Sequence, residues 1–433
     1  MSIFKKLSNS QVFANLSWMT IQKFVQILSS LVVGIVLARY LGASDYGIYS
    51  LLLALATILT TVSTFGLNHL ITKEIKLSQR NSSEIVLSSI ALRFLVSFLL
   101  IPVFYFIYRF VGEEEYALMV LIILFFQCFN SLKVVEFYFL SRSYMKPYVV
   151  VNVIVLSISV VTKIAMVFWQ VELKYFLLLV GLDYVLGGLL SYYVYSRADR
   201  VKKSRWFNSE VFRELVSKGF PLALSSLTAV IYLKLDVIML AHYVSKESVG
   251  HYAVASRLSE IWYILPGLVV TALFPKVLEL KKESVFEYKR SIDQLLYFMV
   301  LISFALAIIT TFLSDFIVLL LFGESYSPSA DILQIHIWAC IFIFMRAVVS
   351  KWLIAEDLYY LSLVTHGFGA VSNVILNFIM IPRLGGEGAA YATLISYGIA
   401  SYLSLFFSRN GRPMAIRMSW ALFLPSFFFR SKN

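Results

Sequence analysis

Long apolar runs alternate with short polar connections along nearly the whole chain. A run of about 20 apolar residues is long enough to cross the hydrocarbon core of a bilayer as a single helix. By this measure the sequence predicts an all-α membrane protein with about twelve transmembrane helices. The predicted spans lie near residues 16–38, 46–66, 85–108, 116–138, 148–169, 174–195, 219–241, 250–272, 293–314, 330–353, 359–381 and 387–408.

The longest basic connection divides these spans into two sets of six. It runs from Arg197 to Lys218, between the sixth and seventh spans. We therefore predict a first lobe at residues 1–205, with an N-terminal stretch on the membrane surface, and a second lobe at residues 206–433. The apolar segment at 414–429 is too short to span and predicts an interfacial C-terminal helix.

An ungapped repeat supports two similar halves. The segment Leu37-Ala38-Arg39-Tyr40-Leu41 is followed by Gly47-Ile48-Tyr49, and the segment Leu240-Ala241-His242-Tyr243-Val244 is followed by Gly250-His251-Tyr252. Both pairs of segments are offset by 203 residues. Repeats of about half the chain are typical of transporters built from two related bundles.

Composition excludes a soluble globular protein. The chain is 60% hydrophobic and 14% charged, whereas soluble domains average about 25% charged residues. A net charge of +12 is compatible with binding to nucleic acid, but the basic residues lie mainly in the loops between apolar runs. That distribution sets membrane orientation instead, so we expect no nucleic-acid partner.

The loop charges predict the orientation. If the N-terminus is cytoplasmic, the inside segments hold 25 Lys and Arg residues and the outside loops hold five. Positively charged loops stay on the cytoplasmic side. This asymmetry predicts an even number of spans with both termini in the cytoplasm. The N-terminus is polar for its first dozen residues, so we expect no cleaved signal peptide.

Motifs for catalysis and metal binding are absent from the sequence. The two cysteines lie in apolar runs, and the five histidines show no ligand spacing. There is no P-loop, nucleophile elbow or paired-carboxylate motif. A membrane polysaccharide polymerase or glycosyltransferase remains an alternative, although such enzymes usually need larger outside loops than this chain has.

Cations inside the predicted spans are the strongest functional signal. A charge at the bilayer centre is costly, so it normally faces a protein interior or a water-filled cavity. Lys133 with Glu136, and Arg257 with Glu260, are spaced to neutralise each other on one helix face. Even with Asp236 and Glu260 nearby, the cations exceed the acids and predict a cavity for an anionic solute. The candidate cavity residues are Lys23, Arg39, Arg93, Lys234, Arg257 and Arg346.

Oxygen-bearing side chains in the second half form a candidate ion site. Asp236 lies late in the seventh span, Asn373 and Asn377 share one face of the eleventh, and Thr393 lies in the twelfth. Carboxylate, amide and hydroxyl oxygens are ligands that hard cations prefer. Hydrogen bonding between helices is an equally good explanation for the buried asparagines.

Several of these motifs together resemble the Wzx-type polysaccharide flippases. The resemblance rests on Leu37 to Gly42 with Tyr46 to Tyr49, on Asp236 to Leu240 with Val249 to Tyr252, on Leu273-Phe274-Pro275, and on Gly388 to Thr393. It covers nearly the whole chain. These flippases belong to the multidrug/oligosaccharidyl-lipid/polysaccharide exporter superfamily.

The resemblance implies two six-helix lobes that form a V and open alternately to each side. It implies a substrate of undecaprenyl-pyrophosphate-linked oligosaccharide, moved across the bacterial inner membrane for O-antigen or capsule synthesis. Membrane lipids, a polymerase and a chain-length regulator would be its partners. The chain would need no cofactor, and a Na⁺ or H⁺ gradient could drive it. In related lipid flippases, residues matching Asp236, Asn373, Asn377 and Thr393 can hold Na⁺.

A multidrug or cation antiporter of the same superfamily is the main alternative. Such a transporter would need an acidic or apolar cavity, whereas cations exceed acids in these spans. A purely structural membrane protein would have little reason to carry cations inside its spans.

Overall fold

The computed structural model describes residues 11–77, 80–198 and 207–423. Within these ranges the chain is almost entirely helical. Contacts divide it into two compact units, Met1–Val230 and Ile231–Asn433. The predicted lobe boundary at 205/206 lies outside the described residues. The predicted N-terminal surface stretch also lies largely outside them.

The first unit contains seven helices and the start of an eighth. They are α1 (Gln11–Ser63), α2 (Asn68–Leu77), α3 (Ser82–Val111), α4 (Ala117–Gln127), α5 (Val135–Ser141), α6 (Lys146–Phe168), α7 (Leu173–Ala198) and α8 (Ser209–Tyr243). A 3₁₀ segment, Cys128–Val134, joins α4 to α5. Helix α7 packs closely on this segment. A Cβ added at Gly188 would lie only 2.2 Å from the Phe129 carbonyl oxygen. Small residues allow such close approach between membrane helices.

The second unit continues α8 and adds eight more helices. They are α9 (Lys246–Glu260), α10 (Ile264–Glu283), α11 (Val285–Phe322), α12 (Pro328–His336), α13 (Ala339–Ala355), α14 (Tyr359–Gly398), α15 (Ser404–Phe406) and α16 (Arg412–Phe423). A π-helical turn, Ile399–Leu403, joins α14 to α15. Such turns are rare and often mark a place where side chains must satisfy freed backbone groups.

Nine helices within the described ranges are long and apolar enough to cross a membrane. The protein is therefore a multi-pass membrane protein. Two of the nine, Ser17–Ser63 and Tyr360–Phe406, contain 47 residues each, more than twice the length that one crossing needs. Both are broken at a glycine. The count of twelve spans stays a prediction.

The two breaks need glycine for a local reason. Gly42 has φ 74° and Gly385 has φ 55°, in the region that side chains with a Cβ rarely adopt. A single residue in this conformation interrupts the helix at a kink. Pro102 and Pro275 lie inside continuous helices, whereas Pro382 lies three residues before the break at Gly385.

The two copies of the sequence repeat adopt similar local structures, one in each unit. In the first copy α1 breaks at Gly42, and the Gly47-x-Tyr49 segment that follows is helical. In the second copy α8 ends at Tyr243, and α9 begins after Ser245, whose hydroxyl accepts from the Ser248 N–H. Tyr49 is 4% exposed and Tyr252 is 2% exposed. The repeat thus marks a helix, a turn and a buried tyrosine in both units.

Candidate functional site

Each unit contains its own cluster of buried polar residues. In the first unit the centre of the cluster is an ion pair between α6 and α7. The Lys163 ammonium lies 2.9 Å from Asp183 Oδ2 and donates to Ser159 Oγ at 2.8 Å. Ser159 in turn donates to Asp183 Oδ2 at 2.6 Å. These three polar side chains therefore satisfy one another.

A pocket of about 180 Å³ adjoins this pair. Lys133 reaches it from the 3₁₀ segment, and Asn152 reaches it from α6. A Cβ at Gly187 would lie 2.9 Å from Lys133 Cε, so this glycine leaves room for the lysine side chain against α7. The other polar residues that line the pocket are Gln22, Gln26, Ser159, Lys163 and Asp183.

The predicted pairing of Lys133 with Glu136 is wrong. Glu136 Oε2 accepts from the Tyr148 hydroxyl at 3.1 Å. Within the described ranges, no acid lies within ion-pair distance of Lys133. Glu136 is instead engaged by a side chain of α6, the helix that follows in the chain.

Three predicted cavity cations lie in the first unit, and they differ in environment. Lys23 is exposed and donates to Gln26, a pocket residue, at 3.4 Å. Arg39 is exposed on α1, three residues before the break. Arg93 is buried in α3 and donates to Asn68 Oδ1 at 2.7 Å. These contacts do not bring the three into one cluster.

The centre of the second unit's cluster is Asp236. This carboxylate is 4% exposed. Its Oδ2 accepts a hydrogen bond from the Tyr252 hydroxyl, and its Oδ1 accepts from the Val237 N–H at 2.9 Å. The Tyr252 hydroxyl also lies 3.4 Å from Thr393 Oγ1. The structure therefore joins two predicted ion-site residues, Asp236 and Thr393, through a tyrosine.

A histidine extends this cluster. The His336 ring makes an edge contact with Tyr252, with 5.8 Å between ring centres. His336 Nδ1 shares hydrogen bonds with Ser259 Oγ at 2.6 Å and with the Tyr263 hydroxyl at 3.4 Å. The sequence analysis did not single out His336 or Tyr252 as site residues. The Gly-x-Tyr position of the repeat and the flippase-like segment Val249 to Tyr252 were the signals that pointed to Tyr252.

Asn373 and Asn377 bond to each other, and neither is among the hydrogen-bond partners of Asp236. Asn377 Nδ2 donates to Asn373 Oδ1 at 3.0 Å, and both residues are 0% exposed. The other two amide atoms, Asn373 Nδ2 and Asn377 Oδ1, find no partner among the described residues. The pair is thus a bond within α14, with one free donor and one free acceptor.

The remaining predicted cations of the second unit are Lys234, Arg257 and Arg346. Lys234 Nζ lies 3.6 Å from Glu260 Oε1, so it pairs with this acid and not with Asp236. Arg257 is partly buried in α9. Arg346 is 9% exposed and donates to Thr365 Oγ1 at 2.8 Å and to the Ala400 carbonyl of the π-helical turn at 3.3 Å. Arg346 therefore satisfies backbone at an irregular turn.

A family model described as polysaccharide biosynthesis protein matches residues 12–281. This match covers more than half of the chain. The chain belongs to the polysaccharide biosynthesis protein family. A second model, MatE, matches residues 221–379. The predicted membership of the polysaccharide flippases in the multidrug/oligosaccharidyl-lipid/polysaccharide exporter superfamily is thereby confirmed.

Among curated relatives, the membrane protein MJ1068 of Methanocaldococcus jannaschii is 23% identical over 425 residues, covering 90% of this chain and 82% of that protein. The capsular polysaccharide biosynthesis protein CapF of Staphylococcus aureus is 23% identical over 221 residues. That alignment covers 49% of this chain and 56% of CapF, so it spans little more than half of that relative.

The fold matches a solved flippase structure. The lipid II flippase MurJ in an inward closed conformation aligns with a TM-score of 0.73 at 17% identity, over 96% of this chain and 92% of MurJ. An identity this low establishes the fold alone. The predicted all-helical transporter architecture is confirmed. Family and fold are those of transporters and flippases rather than enzymes.

Proposed function

We propose that this protein moves undecaprenyl-pyrophosphate-linked oligosaccharide units across the bacterial plasma membrane. The flipped units would supply the synthesis of a surface polysaccharide such as O-antigen or capsule. The family description, the similarity to CapF and the MurJ fold support a role as a flippase of lipid-linked glycans. The pyrophosphate, the lipid and the glycan pathway are the parts that we propose.

One observation carries the choice of an anionic substrate. Within the described residues of the first unit, Lys23, Arg93 and Lys133 form no ion pair, whereas Lys163 is paired with Asp183. Cations inside predicted membrane helices are costly unless an anion or a solvated cavity stabilises them. A pyrophosphate group offers several oxygen acceptors to guanidinium and ammonium groups. Surplus positive charge therefore favours an anion over an organic cation.

Transport by alternating access needs a source of energy. The chain has no nucleotide-binding motif, so we propose that a Na⁺ or H⁺ gradient drives it. The group that responds to the ion would be Asp236, with Tyr252 and Thr393 as its neighbours. A bound ion can favour one state of a transporter only through different affinity for the two states. Asn373 and Asn377 would contribute amide oxygens in one of these states.

The decisive experiment is reconstitution. We would place the purified full chain in proteoliposomes with a fluorescent undecaprenyl-pyrophosphate-linked oligosaccharide and measure the fraction that an external quencher reaches over time. Movement faster than in protein-free liposomes supports the proposal. Equal rates with and without protein, in the presence of either ion gradient, would reject it.

A multidrug antiporter is the second candidate, because the MatE model covers the segment that contains Asp236. The same proteoliposomes can test it with ethidium as an organic cation. Ethidium movement driven by an ion gradient, without movement of the glycolipid, would favour this alternative.

We also propose that both termini lie in the cytoplasm, as the loop charges predict. Reporter fusions after Gly112, Lys246 and Gly323 should then report the outside of the membrane. Fusions after Ser204 and Lys281 should report the inside. Two reversed results among these five would contradict the orientation.

A further inference from the structure

The pocket beside the Lys163–Asp183 pair contains one lysine more than the ion pair uses. It is lined by two lysines and one carboxylate, all from the first unit. Lys163 and Asp183 neutralise each other at 2.9 Å. Lys133 forms no ion pair with an acid among the described residues.

The neutral groups of the pocket complement this charge. Gln22, Gln26 and Asn152 each carry two amide N–H donors. The Asn152 amide already donates to the Tyr148 carbonyl at 2.8 Å, and its second N–H remains. An ammonium surrounded by amide donors favours an oxygen-rich anion, because charge-assisted hydrogen bonds to oxyanions are short and strong.

The size of the pocket matches a small group rather than a whole glycolipid. Its volume is about 180 Å³, below the roughly 300–1,000 Å³ of pockets that hold drug-sized ligands. Val153, Val155 and Leu156 of α6 supply the apolar part of its lining. A pocket of this size can hold one anionic group attached to a larger molecule that extends beyond it.

We propose that Lys133 and the surrounding amides of this pocket form an oxyanion subsite that holds an anionic group of the transported glycolipid. This inference rests on the proposed function for the identity of the ligand. The oxyanion would be either a phosphate of the lipid linkage or a carboxylate of an acidic sugar. Asp183 acts in the subsite by neutralising Lys163, which leaves Lys133 as the residue that contacts the ligand.

Gly187 offers a variant that tests the position of the ammonium without removing its charge. A methyl group on this glycine would lie 3.0 Å from Lys133 Nζ and 2.9 Å from its Cε. The lysine side chain would have to move away from α7. If the subsite exists, Gly187→Ala should weaken anion binding while the net charge of the protein stays the same.

The first experiment measures binding of inorganic pyrophosphate to the purified full chain in detergent. We expect Lys133→Gln to weaken binding at least tenfold, Lys133→Arg to retain most of it, and Gly187→Ala to give an intermediate loss. Lys73→Gln is the matched control, because it removes an exposed lysine charge from α2. Equal affinity in Lys133→Gln and the wild type, or an equal loss in the control, would overturn the proposal.

The second experiment distinguishes the two sources of the oxyanion. In proteoliposomes, transport of pyrophosphate-linked glycans with neutral sugars is compared with transport of glycans that contain uronic acids. A loss of both in Lys133→Gln identifies the phosphate, and a loss of the acidic glycan alone identifies the sugar carboxylate. If the wild type transports and Lys133→Gln matches it with both glycans, the subsite is wrong and the proposed function stands. If the wild type transports neither, the proposed function itself fails.

Discussion

The two buried polar clusters lie in units with related local sequence, yet their buried acids have different partners. In the first unit the buried acid, Asp183, meets a lysine ammonium. In the second unit the buried acid, Asp236, receives hydrogen bonds from a tyrosine hydroxyl and a backbone N–H. Related scaffolds can thus hold an acid as an ion pair or as a hydrogen-bonded carboxylate. The first arrangement leaves surplus positive charge, and the second leaves an acid that is free to take a cation or a proton.

This difference leads us to expect different roles in transport for the two clusters. A carboxylate without a cationic partner inside a membrane is a common element of ion-coupled transport. A pocket whose lysine, Lys133, forms no ion pair among the described residues suits an anion. We therefore expect substitutions in the first cluster to change stability and anion recognition, and substitutions in the second to change the dependence of transport on the driving ion.

The largest expected effect is on stability, from breaking the ion pair of the first unit. Lys163→Met or Asp183→Asn alone leaves one buried charge without its partner, which typically costs about 3–5 kcal/mol for a fully buried pair. The Asp183 side chain is 24% exposed, so we expect about 2–3 kcal/mol for each single variant. Thermal unfolding in detergent measures the change.

The double variant Lys163→Met with Asp183→Asn should recover much of that loss, because it removes both charges together. Additive losses in the double variant would show that the two side chains act independently. That result would show that the Lys163–Asp183 contact does not stabilise the first unit.

The second prediction concerns the acid of the second unit. Asp236→Asn keeps the shape of the side chain but removes its charge, so transport should fall about tenfold or more and lose its dependence on Na⁺ or pH. The initial rate in proteoliposomes with and without the ion gradient measures this. Tyr252→Phe removes the hydroxyl that bonds to Asp236 and should lower the rate less while keeping the ion dependence.

An alternative hypothesis is that Asp236 only neutralises the positive charge of Lys234. The structure pairs Lys234 with Glu260 instead, at 3.6 Å. Under this alternative hypothesis, Asp236→Asn combined with Lys234→Gln would restore transport. If that double variant transports normally and keeps its ion dependence, Asp236 has no coupling role.

A smaller effect is expected at the buried arginine of the second unit. Arg346 donates from one guanidinium nitrogen to Thr365 and Ala400 and from another to Ser362, at 3.3 Å. Lysine cannot reproduce this planar arrangement of donors. Arg346→Lys should therefore destabilise the protein by about 1–2 kcal/mol in thermal unfolding. An unchanged unfolding temperature would show that these contacts contribute little.

The smallest effect lies outside the predicted spans, where Glu214 of α8 accepts from Arg80 and Lys218. These hydrogen bonds hold the pKa of the Glu214 carboxyl below its ordinary value. A lowered pKa stabilises the fold above the ordinary carboxyl pKa, and that stabilisation is lost as the pH falls through the lowered value. Glu214→Gln should reduce the small, salt-sensitive loss of stability between about pH 5 and pH 3. Unfolding temperatures compared across that range, at low and high salt, measure it.

The sequence by itself determined the class of the protein and its main elements. Apolar runs of spanning length can be satisfied in a bilayer only as helices, because hydrocarbon offers no partner for backbone groups. The predicted connections between residues 38 and 46 and between residues 381 and 387 contain the two breaks, at Gly42 and Gly385. The repeat located Tyr49 and Tyr252, both of which are buried in corresponding helices.

Only the tertiary structure decided which polar groups meet. Lys163 and Asp183 are 20 residues apart in the chain, on different helices, and no spacing rule links them. Asp236 and Thr393 come together through Tyr252, although Thr393 is 141 residues away from that tyrosine. Lys133 and Glu136 have the spacing of helical neighbours, but Glu136 accepts from Tyr148 of another helix. Partners across helices depend on packing, which periodicity along one chain segment does not specify.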